Sequence, residues 1–193
     1  METIVIAGLG NPGPRYQWTR HNAGFLFLDR LASLEGLSVT KKQFNGLTAE
    51  WSRKGKRLVL LKPQTFMNLS GRSVQAALQF YKLTTQQLIV IHDEIDLPLG
   101  TVRMKSGGGH GGQNGLRSIM ELLGRNDFTR IRIGIGRPVH GEVTDHVLGT
   151  LTPTEMEVMA RVLDGAVDLL SCALDEGVPK AMSLGNSRTY LEG

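Results

Sequence analysis

Several features typical of other protein classes are missing from this 193-residue sequence. A single cysteine, Cys172, excludes an internal disulfide and is typical of a protein in a reducing compartment. No apolar run approaches the roughly 20 residues that cross a bilayer, and the chain opens on a strand pattern without a signal or transit segment. We therefore expect a cytoplasmic protein.

Two common catalytic signatures are also missing. Ser70 does not lie in a G-x-S-x-G nucleophile elbow, and no H-E-x-x-H metal motif occurs anywhere. His92 and the acidic residues after it suggest a metal site, but strand alternation would point His92 and Asp93 to opposite faces. The sequence therefore predicts no metal site.

Acidic residues are scarce in the first part of the chain. Residues 1–137 carry 19 lysines and arginines against 9 acids, whereas residues 138–193 carry 3 against 9. The net charge of +4 therefore hides a strongly basic region, which is the polarity that a phosphate backbone requires of its partner. A solvated basic surface would explain the same numbers.

The order of apolar segments indicates an α/β protein. Buried strands are predicted over 3–7 and 88–92, and the segment 47–61 predicts a hairpin with a basic tip, whose strands must be antiparallel. A capping box at Thr152 starts a long helix that Gly177 ends. We predict one domain over residues 1–193, a three-layer α/β/α fold with a twisted mixed sheet and helices on both faces.

Two C-terminal segments give weaker signals. Residues 137–150 show no interpretable pattern, and the tail from Asn186 is expected to be loosely held.

His21 precedes an apolar segment, Phe25 to Leu34, that is dense enough to form a buried helix ending at Gly36. A histidine near a helix N-terminus has its pKa lowered by the helix dipole, which would keep it available as a base near neutral pH. The alternative is an ordinary capping region with Asn22 as the cap.

The first strand leads into Gly8-Leu9-Gly10-Asn11-Pro12-Gly13, which matches the G-x-G-x-x-G pattern of dinucleotide-binding turns. Pro12 and Pro14 remove two backbone N–H groups that would bind a pyrophosphate, and Asp29 lies inside the following helix. We therefore interpret the segment as a tight loop that presents the Asn11 carboxamide, although Asn-Pro-Gly is also good turn chemistry.

Two further loops hold polar candidates. Asn68 lies between apolar neighbours Met67 and Leu69, with Met67 and Phe66 consistent with ordinary core. The glycine-rich segment 106–116 ends at Asn114, which either caps the next helix or faces a substrate. A flexible structural loop and a gate over a cleft both fit this composition.

The strand near residue 130 alternates isoleucine with arginine. Arg130 and Arg132 therefore share one face, and Lys105 would join them if its strand is adjacent. These three side chains would form a phosphate-binding cluster.

Together these segments resemble the bacterial-type peptidyl-tRNA hydrolase family along essentially the whole chain. The matching motifs are Leu9-Gly10-Asn11-Pro12-Gly13, Tyr16 with Thr19-Arg20-His21-Asn22-Ala23-Gly24, Phe66-Met67-Asn68-Leu69-Ser70-Gly71, His92-Asp93-Glu94-Ile95-Asp96-Leu97-Pro98, the glycine loop through Asn114-Gly115-Leu116, and Arg132-Ile133-Gly134-Ile135-Gly136. Gln113 stands where the family usually has histidine, which leaves any imidazole-specific contact there open.

The resemblance implies cleavage of the ester between a peptide and the 3′ end of tRNA. It implies that His21 is the general base that activates water, that Asp93 orients it, and that Asn11 belongs to the catalytic group. It further implies that the peptide and the attacked carbonyl are held by Tyr16, Met67, Asn68 and Asn114, and that a tRNA phosphate is held by Lys105 and Arg132.

Peptidyl-tRNA is the implied partner, and no metal or organic cofactor is implied. The family suggests a predominantly monomeric enzyme. Two other functions remain open from the sequence: a catalytically silent RNA-binding relative on the same fold, and a nucleotide-dependent enzyme that uses the glycine turn. His21, Asp93 and the three asparagines speak against the first.

Overall fold

The computed structural model describes residues 1–192, and seven strands in this range form one sheet. The strands are β1 (Thr3–Gly8), β2 (Lys41–Gln43), β3 (Gly46–Arg53), β4 (Lys56–Pro63), β5 (Leu88–Glu94), β6 (Val102–Ser106) and β7 (Thr129–Gly134). Their order across the sheet is β2-β3-β4-β1-β5-β7-β6.

The sheet is mixed, as the sequence predicted. Strands β4, β1, β5 and β7 run parallel, while β2, β3 and β6 pair antiparallel with their neighbours. The carboxyl ends of β1 and β5 therefore lie side by side at one edge of the sheet, which is where open α/β sheets place their ligands.

Within residues 1–192, six α-helices surround the sheet. They are α1 (Ala23–Glu35), α2 (Ser70–Tyr81), α3 (Asn114–Leu123), α4 (Val143–Val147), α5 (Pro153–Glu176) and α6 (Val178–Gly185). Side chains of α1 and α5 form one core with the first face of the sheet, and side chains of α2 and α3 form a second core with the opposite face. This arrangement confirms the predicted fold class, with a helical layer on each side of the central strands.

Local signals explain the longest helix. The Thr152 hydroxyl accepts a hydrogen bond from the Glu155 amide, the Glu155 carboxylate accepts one from the Thr152 amide, and Pro153 occupies the first turn. The helix ends at Gly177 as predicted.

The C-terminal tail does not behave as the sequence suggested. The Asn186 carboxamide bonds both the amide and the carbonyl of Met104, at 2.8 and 2.9 Å. Tyr190 donates its backbone N–H to Gly100 and packs against Gly165. The expectation of a loosely held tail is therefore wrong, because these long-range contacts leave no periodic signal in the sequence.

The sequence did not predict three short elements, which are β2, α4 within the segment 137–150, and α6. A strand of three residues shows too little alternation, and helices of five and eight residues span too few turns, for either period to be recognised. None of the helices within residues 1–192 is long and apolar enough to cross a membrane.

Candidate active site

A cavity of about 490 Å³ opens at the carboxyl ends of β1 and β5. Its lining combines polar and apolar side chains, as ligand sites do. The polar residues of the lining are Asn11, His21, Asn68, Asp93, Glu94, Gln113, Asn114 and Thr144.

His21 and Asp93 form a buried pair in this cavity. The Nδ1 atom of His21 lies 2.8 Å from Oδ2 of Asp93, and both side chains are almost fully enclosed. Since a carboxylate can only accept, Nδ1 carries the proton and donates it. Nε2 is then the unprotonated ring nitrogen available to the cavity, which is the arrangement of a general base with an orienting acid.

The environment raises the pKa of His21 above its ordinary value. Burial is the largest single influence and lowers the pKa, but the negative charge of Asp93 and its hydrogen bond to the ring together outweigh it. The expectation of a lowered pKa is therefore wrong, because Asp93 acts in the opposite direction. Asp93 therefore sets the basicity of His21.

A glycine brings His21 to Asp93. Gly24, in the first turn of α1, packs so closely against the backbones of Leu9 and Ile91 that any Cβ there would collide with them. This contact draws the start of α1 onto the carboxyl ends of β1 and β5. His21, in the short 3₁₀ turn Arg20–Asn22, is thereby held over Asp93.

Asn22 occupies the N-cap position of α1 but makes no capping hydrogen bond. Its carboxamide instead bonds both the amide and the carbonyl of Asn11, at 2.8 and 2.9 Å. The reading of Asn22 as a cap is therefore wrong, and its role is to hold the loop that carries Asn11.

Asn11 is fixed by a second contact. Its Oδ1 accepts a hydrogen bond of 2.7 Å from the Met67 amide. This fixes the orientation of the carboxamide, and its Nδ2 group finds no acceptor in the part of the chain that the structure describes. Asn11 therefore offers an oriented N–H donor at the cavity wall, beside His21.

The glycine-rich segment runs back across the face of β7 and ends at the cavity. Gln113, rather than Asn114, caps α3, because its side chain accepts a hydrogen bond from the Leu116 amide. Asn114 is left exposed on the cavity lining, as is Asn68.

Phe66 is a cavity residue and does not belong to the core. Its side chain is 51% exposed, and its backbone has a φ of 64°, a conformation that few non-glycine residues adopt. Tyr16 does not line the cavity but packs edge-on against Phe66, with ring centroids 6.3 Å apart. The resemblance implied that Tyr16 contacts the substrate itself. In the structure Tyr16 contacts Phe66, and it is Phe66 that lines the cavity.

Strands β6 and β7 are neighbours, which is the condition under which the sequence predicts that Lys105 joins the two arginines. The basic residues of the two strands lie on one face of the sheet. Lys105 lies opposite Arg130, and Arg103 lies opposite Arg132. Arg132 lies 3.7 Å from Glu94 and stays partly exposed. Lys105 is therefore a diagonal neighbour of Arg132 across the two strands.

Arg130 has a different role from the one its spacing suggested. It is almost fully buried and donates to the carbonyls of Gly107 and Gly109, the latter at 2.7 Å. It therefore fastens the glycine-rich segment to the sheet and does not project into solvent beside Arg132.

His92 lies on the same face of the sheet as these arginines, opposite to Asp93, as strand alternation predicted. Its Nδ1 atom donates to the Asp93 carbonyl at 2.8 Å. Complete burial is the main reason that the pKa of His92 falls to about 4, and the charges of Arg130 and Arg132 lower it further. His92 is therefore neutral and structural.

The segment 137–150 supplies one wall of the cavity through α4. Val143, Thr144, Val147 and Leu148 lie on the lining. Arg20 holds this wall in place, because its guanidinium donates to the His146 carbonyl and pairs with Glu155.

Comparison with known proteins decides the family. Residues 5–192 match the family model described as peptidyl-tRNA hydrolase. The chain belongs to the peptidyl-tRNA hydrolase family. This membership agrees with the resemblance found in the separate sequence motifs.

Curated members of the peptidyl-tRNA hydrolase family are similar over the full length. A peptidyl-tRNA hydrolase from Trichlorobacter lovleyi is 78% identical over 193 residues, covering 100% of both chains. One from Pelobacter propionicus is 65% identical over 192 residues, again with 100% of both chains covered.

A solved structure supports the fold directly. The crystal structure of peptidyl-tRNA hydrolase from Acinetobacter baumannii is 40% identical, with a TM-score of 0.91 over 97% of this chain and 96% of that one.

The structure brings most of the residues named from the sequence to one cavity. His21, Asp93, Asn11, Met67, Asn68 and Asn114 line it. Tyr16, Lys105 and Arg132 lie outside it. Phe66, Gln113 and α4 were missed as site features, and only the unusual Gln113 left a signal in the sequence. Within residues 1–192, no three His, Cys, Asp or Glu side chains are grouped as metal ligands.

Proposed function

We propose that this chain hydrolyses the ester bond between a peptide and the 3′ end of tRNA. The observation that carries the proposal is the His21–Asp93 pair, with its 2.8 Å hydrogen bond and a free Nε2 atom at the cavity. Membership of the peptidyl-tRNA hydrolase family supports the choice of substrate.

In the proposed reaction, His21 Nε2 takes a proton from a water molecule, and the resulting hydroxide attacks the ester carbonyl. Asp93 holds the ring and stabilises the imidazolium that forms. The imidazolium then gives its proton to the departing ribose oxygen, which releases the tRNA hydroxyl and the peptide acid. No further proton donor is needed, because an alkoxide leaves far more readily than an amine.

The Nδ2 group of Asn11 is a suitable donor to the oxyanion that develops in this step. Its orientation is fixed before substrate binds, which is the condition under which such donors are most effective. Asn68, Asn114 and Met67 line the same cavity and would hold the peptide and the carbonyl. Tyr16 would act through the Phe66 ring that it supports.

Lys105 and Arg132 would bind a phosphate of the tRNA acceptor end. Both are partly exposed on one face of β6 and β7, in the basic part of the chain. The site as proposed is complete within one chain, and we propose that the enzyme acts as a monomer. A substrate made during translation supports action in the cytoplasm.

The test is release of tRNA from N-acetyl-aminoacyl-tRNA by the purified protein. We expect His21→Ala to lower kcat by on the order of 10²-fold to 10⁴-fold, while tRNA affinity stays within about twofold, because only the base is lost. His140→Ala, an exposed histidine outside the cavity lining, should keep full turnover and serves as the matched control.

Two other outcomes would contradict the proposal. Near-normal turnover by His21→Ala would exclude this histidine as the base. Binding of tRNA without release by the unmodified protein would indicate a silent RNA-binding relative.

We expect release to persist in EDTA, because the reaction as proposed needs only water, a base and an oxyanion donor.

A further inference from the structure

Gln113 lies between Asp93 and the first turn of α3 and contacts both. Its Nε2 group donates to Oδ1 of Asp93 at 3.0 Å, and its Oε1 accepts from the Leu116 amide at 2.8 Å. The same Nε2 group lies 3.2 Å from the sulfur of Met67. One side chain therefore joins the acid of the catalytic pair to a helix N-terminus.

The amide of Gln113 has only one possible orientation. A backbone N–H needs an acceptor, so the oxygen must face Leu116. A carboxylate needs a donor, so the nitrogen must face Asp93. In the reversed orientation, the amide nitrogen of Gln113 would face the Leu116 N–H, and its oxygen would face the Asp93 carboxylate.

With this contact, each carboxylate oxygen of Asp93 has a hydrogen-bond donor. One oxygen accepts from His21 at 2.8 Å and the other from Gln113 at 3.0 Å. The carboxylate is almost fully buried, and rotation about its χ2 axis would break both bonds at once. The oxygen that holds His21 is thus fixed in place from the far side.

We propose that Gln113 is a positioning residue that locks the Asp93 carboxylate and thereby aims the His21 ring at the substrate. The proposal rests on the function proposed above. Gln113 acts through Asp93, and its amide is the feature that matters, because it must donate at one end and accept at the other.

Few charged side chains face His21, so an added charge would change its pKa. Among the cavity-lining residues, the titratable side chains are Asp93, which contacts the ring, and Glu94, which lies near Arg132. The residues that face the cavity from α3, α4 and the 66–68 segment are uncharged.

Two substitutions separate capping from positioning. Gln113→Ser keeps an N-cap oxygen but is too short to reach Asp93. Gln113→Glu keeps both the length and the acceptor for Leu116, but it replaces the donor with a second negative charge beside Asp93. Gln75→Glu makes the same chemical change at a half-buried position of α2, where the side chain bonds the Leu122 carbonyl instead of Asp93, and is the matched control.

We expect Gln113→Ser to lower kcat about tenfold with KM within about twofold, since one buried hydrogen bond to a charged group is lost. Thermal unfolding should stay within about 3 °C of the unmodified protein, because the cap remains. Loss of stability with unchanged kcat would reduce Gln113 to a helix cap and overturn the proposal.

We expect Gln113→Glu to raise the pKa of His21, because the added negative charge favours the imidazolium. NMR titration of the His21 ring in the free protein measures this without any substrate. The acid limb of kcat/KM should move to higher pH by the same amount. A shift of the His21 titration of equal size in Gln75→Glu would overturn the proposal.

The readouts keep the two proposals apart. If the unmodified protein releases no tRNA, the proposed function fails, whereas the NMR titration still reports whether Gln113 acts on the Asp93–His21 pair. If the protein is active and requires His21, but both Gln113 variants behave like the unmodified protein, only the role of Gln113 fails.

Discussion

At the scale of single residues, the chemistry of the site depends on how Asp93 balances the burial of His21. Burial alone would make the ring a weak base, and the neighbouring carboxylate reverses that effect. The proposed reaction needs the neutral ring, so activity should rise with pH through the raised pKa of His21. Replacing the carboxylate with an amide therefore tests this balance.

Asp93→Asn should lower the pKa of His21, because burial then acts without an opposing charge. The acid limb of kcat/KM should move to lower pH, and kcat should fall by about 10²-fold or more, since the amide no longer fixes the ring tautomer. The pH–rate profile measures both effects. A limb that stays in place would show that Asp93 does not set the basicity of His21.

The same pair affects stability in the opposite direction. Because the folded-state pKa of His21 is raised, protonation favours the fold below the unfolded-state pKa, and this contribution disappears as pH rises through the folded-state value. Asp93→Asn should abolish this part of the pH dependence in thermal unfolding. The ion pair thus stabilises the protein most at acid pH, where the base is inactive.

At the scale of elements, the contact of α1 with the sheet sets the geometry of the site. Gly24 permits a helix-to-strand approach that no other residue would allow. His21 is carried by the turn that leads into this helix, so a displacement of α1 moves the base relative to Asp93.

Gly24→Ala should lower the free energy of unfolding by about 1 to 3 kcal/mol through overpacking. It should also reduce kcat by about 10²-fold in the protein that remains folded, because a shift of about 1 Å suffices for such a loss. Gly36→Ala is the control, since Gly36 ends the same helix with a φ of 67° and open space around it.

The control should lose stability through backbone strain but keep its turnover per folded molecule. Chemical denaturation and single-turnover assays on the same samples separate the two quantities. Equal losses of turnover in both variants would show that the approach of α1 has no special role in the site.

Elements with strong local signals were predicted from the sequence, and those held by distant contacts were not. The capping box of Thr152 and Glu155 gave the start of α5, and the alternating isoleucines gave β7. Asn22 looked like a cap because its partner, Asn11, lies on another loop and only the fold brings them together.

The residues of the candidate site also fall into those that the sequence predicted and those that it did not. Family motifs pointed to His21 and Asp93, which are 72 residues apart, and the pairing of β1 with β5 explains their contact. Residue spacing alone placed Arg130 beside Arg132, but could not show that Arg130 is buried against the glycine-rich segment. The contribution of α4 left no pattern at all, because five residues are too few for one.

At the scale of the whole molecule, charge is segregated along the chain. Basic residues dominate the first 137 positions, while most acids of the remainder lie on the C-terminal helices. The face that carries Lys105 and Arg132 adjoins the cavity through Glu94. A polyanion approaching this face would bring its end towards His21.

Lys105→Glu should raise KM more than it lowers kcat and should reduce the slope of log KM against log salt concentration by about one phosphate contact. Lys41→Glu makes the same charge change at an exposed position of β2, at the opposite edge of the sheet from β6, and should leave that slope unchanged. KM measured over a range of salt concentrations gives the comparison. Identical slopes for both variants would exclude Lys105 from phosphate binding.

The Asn186 contact has a consequence for solubility. Strand β6 forms one border of the sheet, and the outward-facing amide and carbonyl of Met104 are occupied by a single carboxamide from the tail. That carboxamide mimics the next strand without allowing another to follow. A chain cut at Gly185 would present an unpaired border, the surface on which sheets of separate molecules join and aggregate.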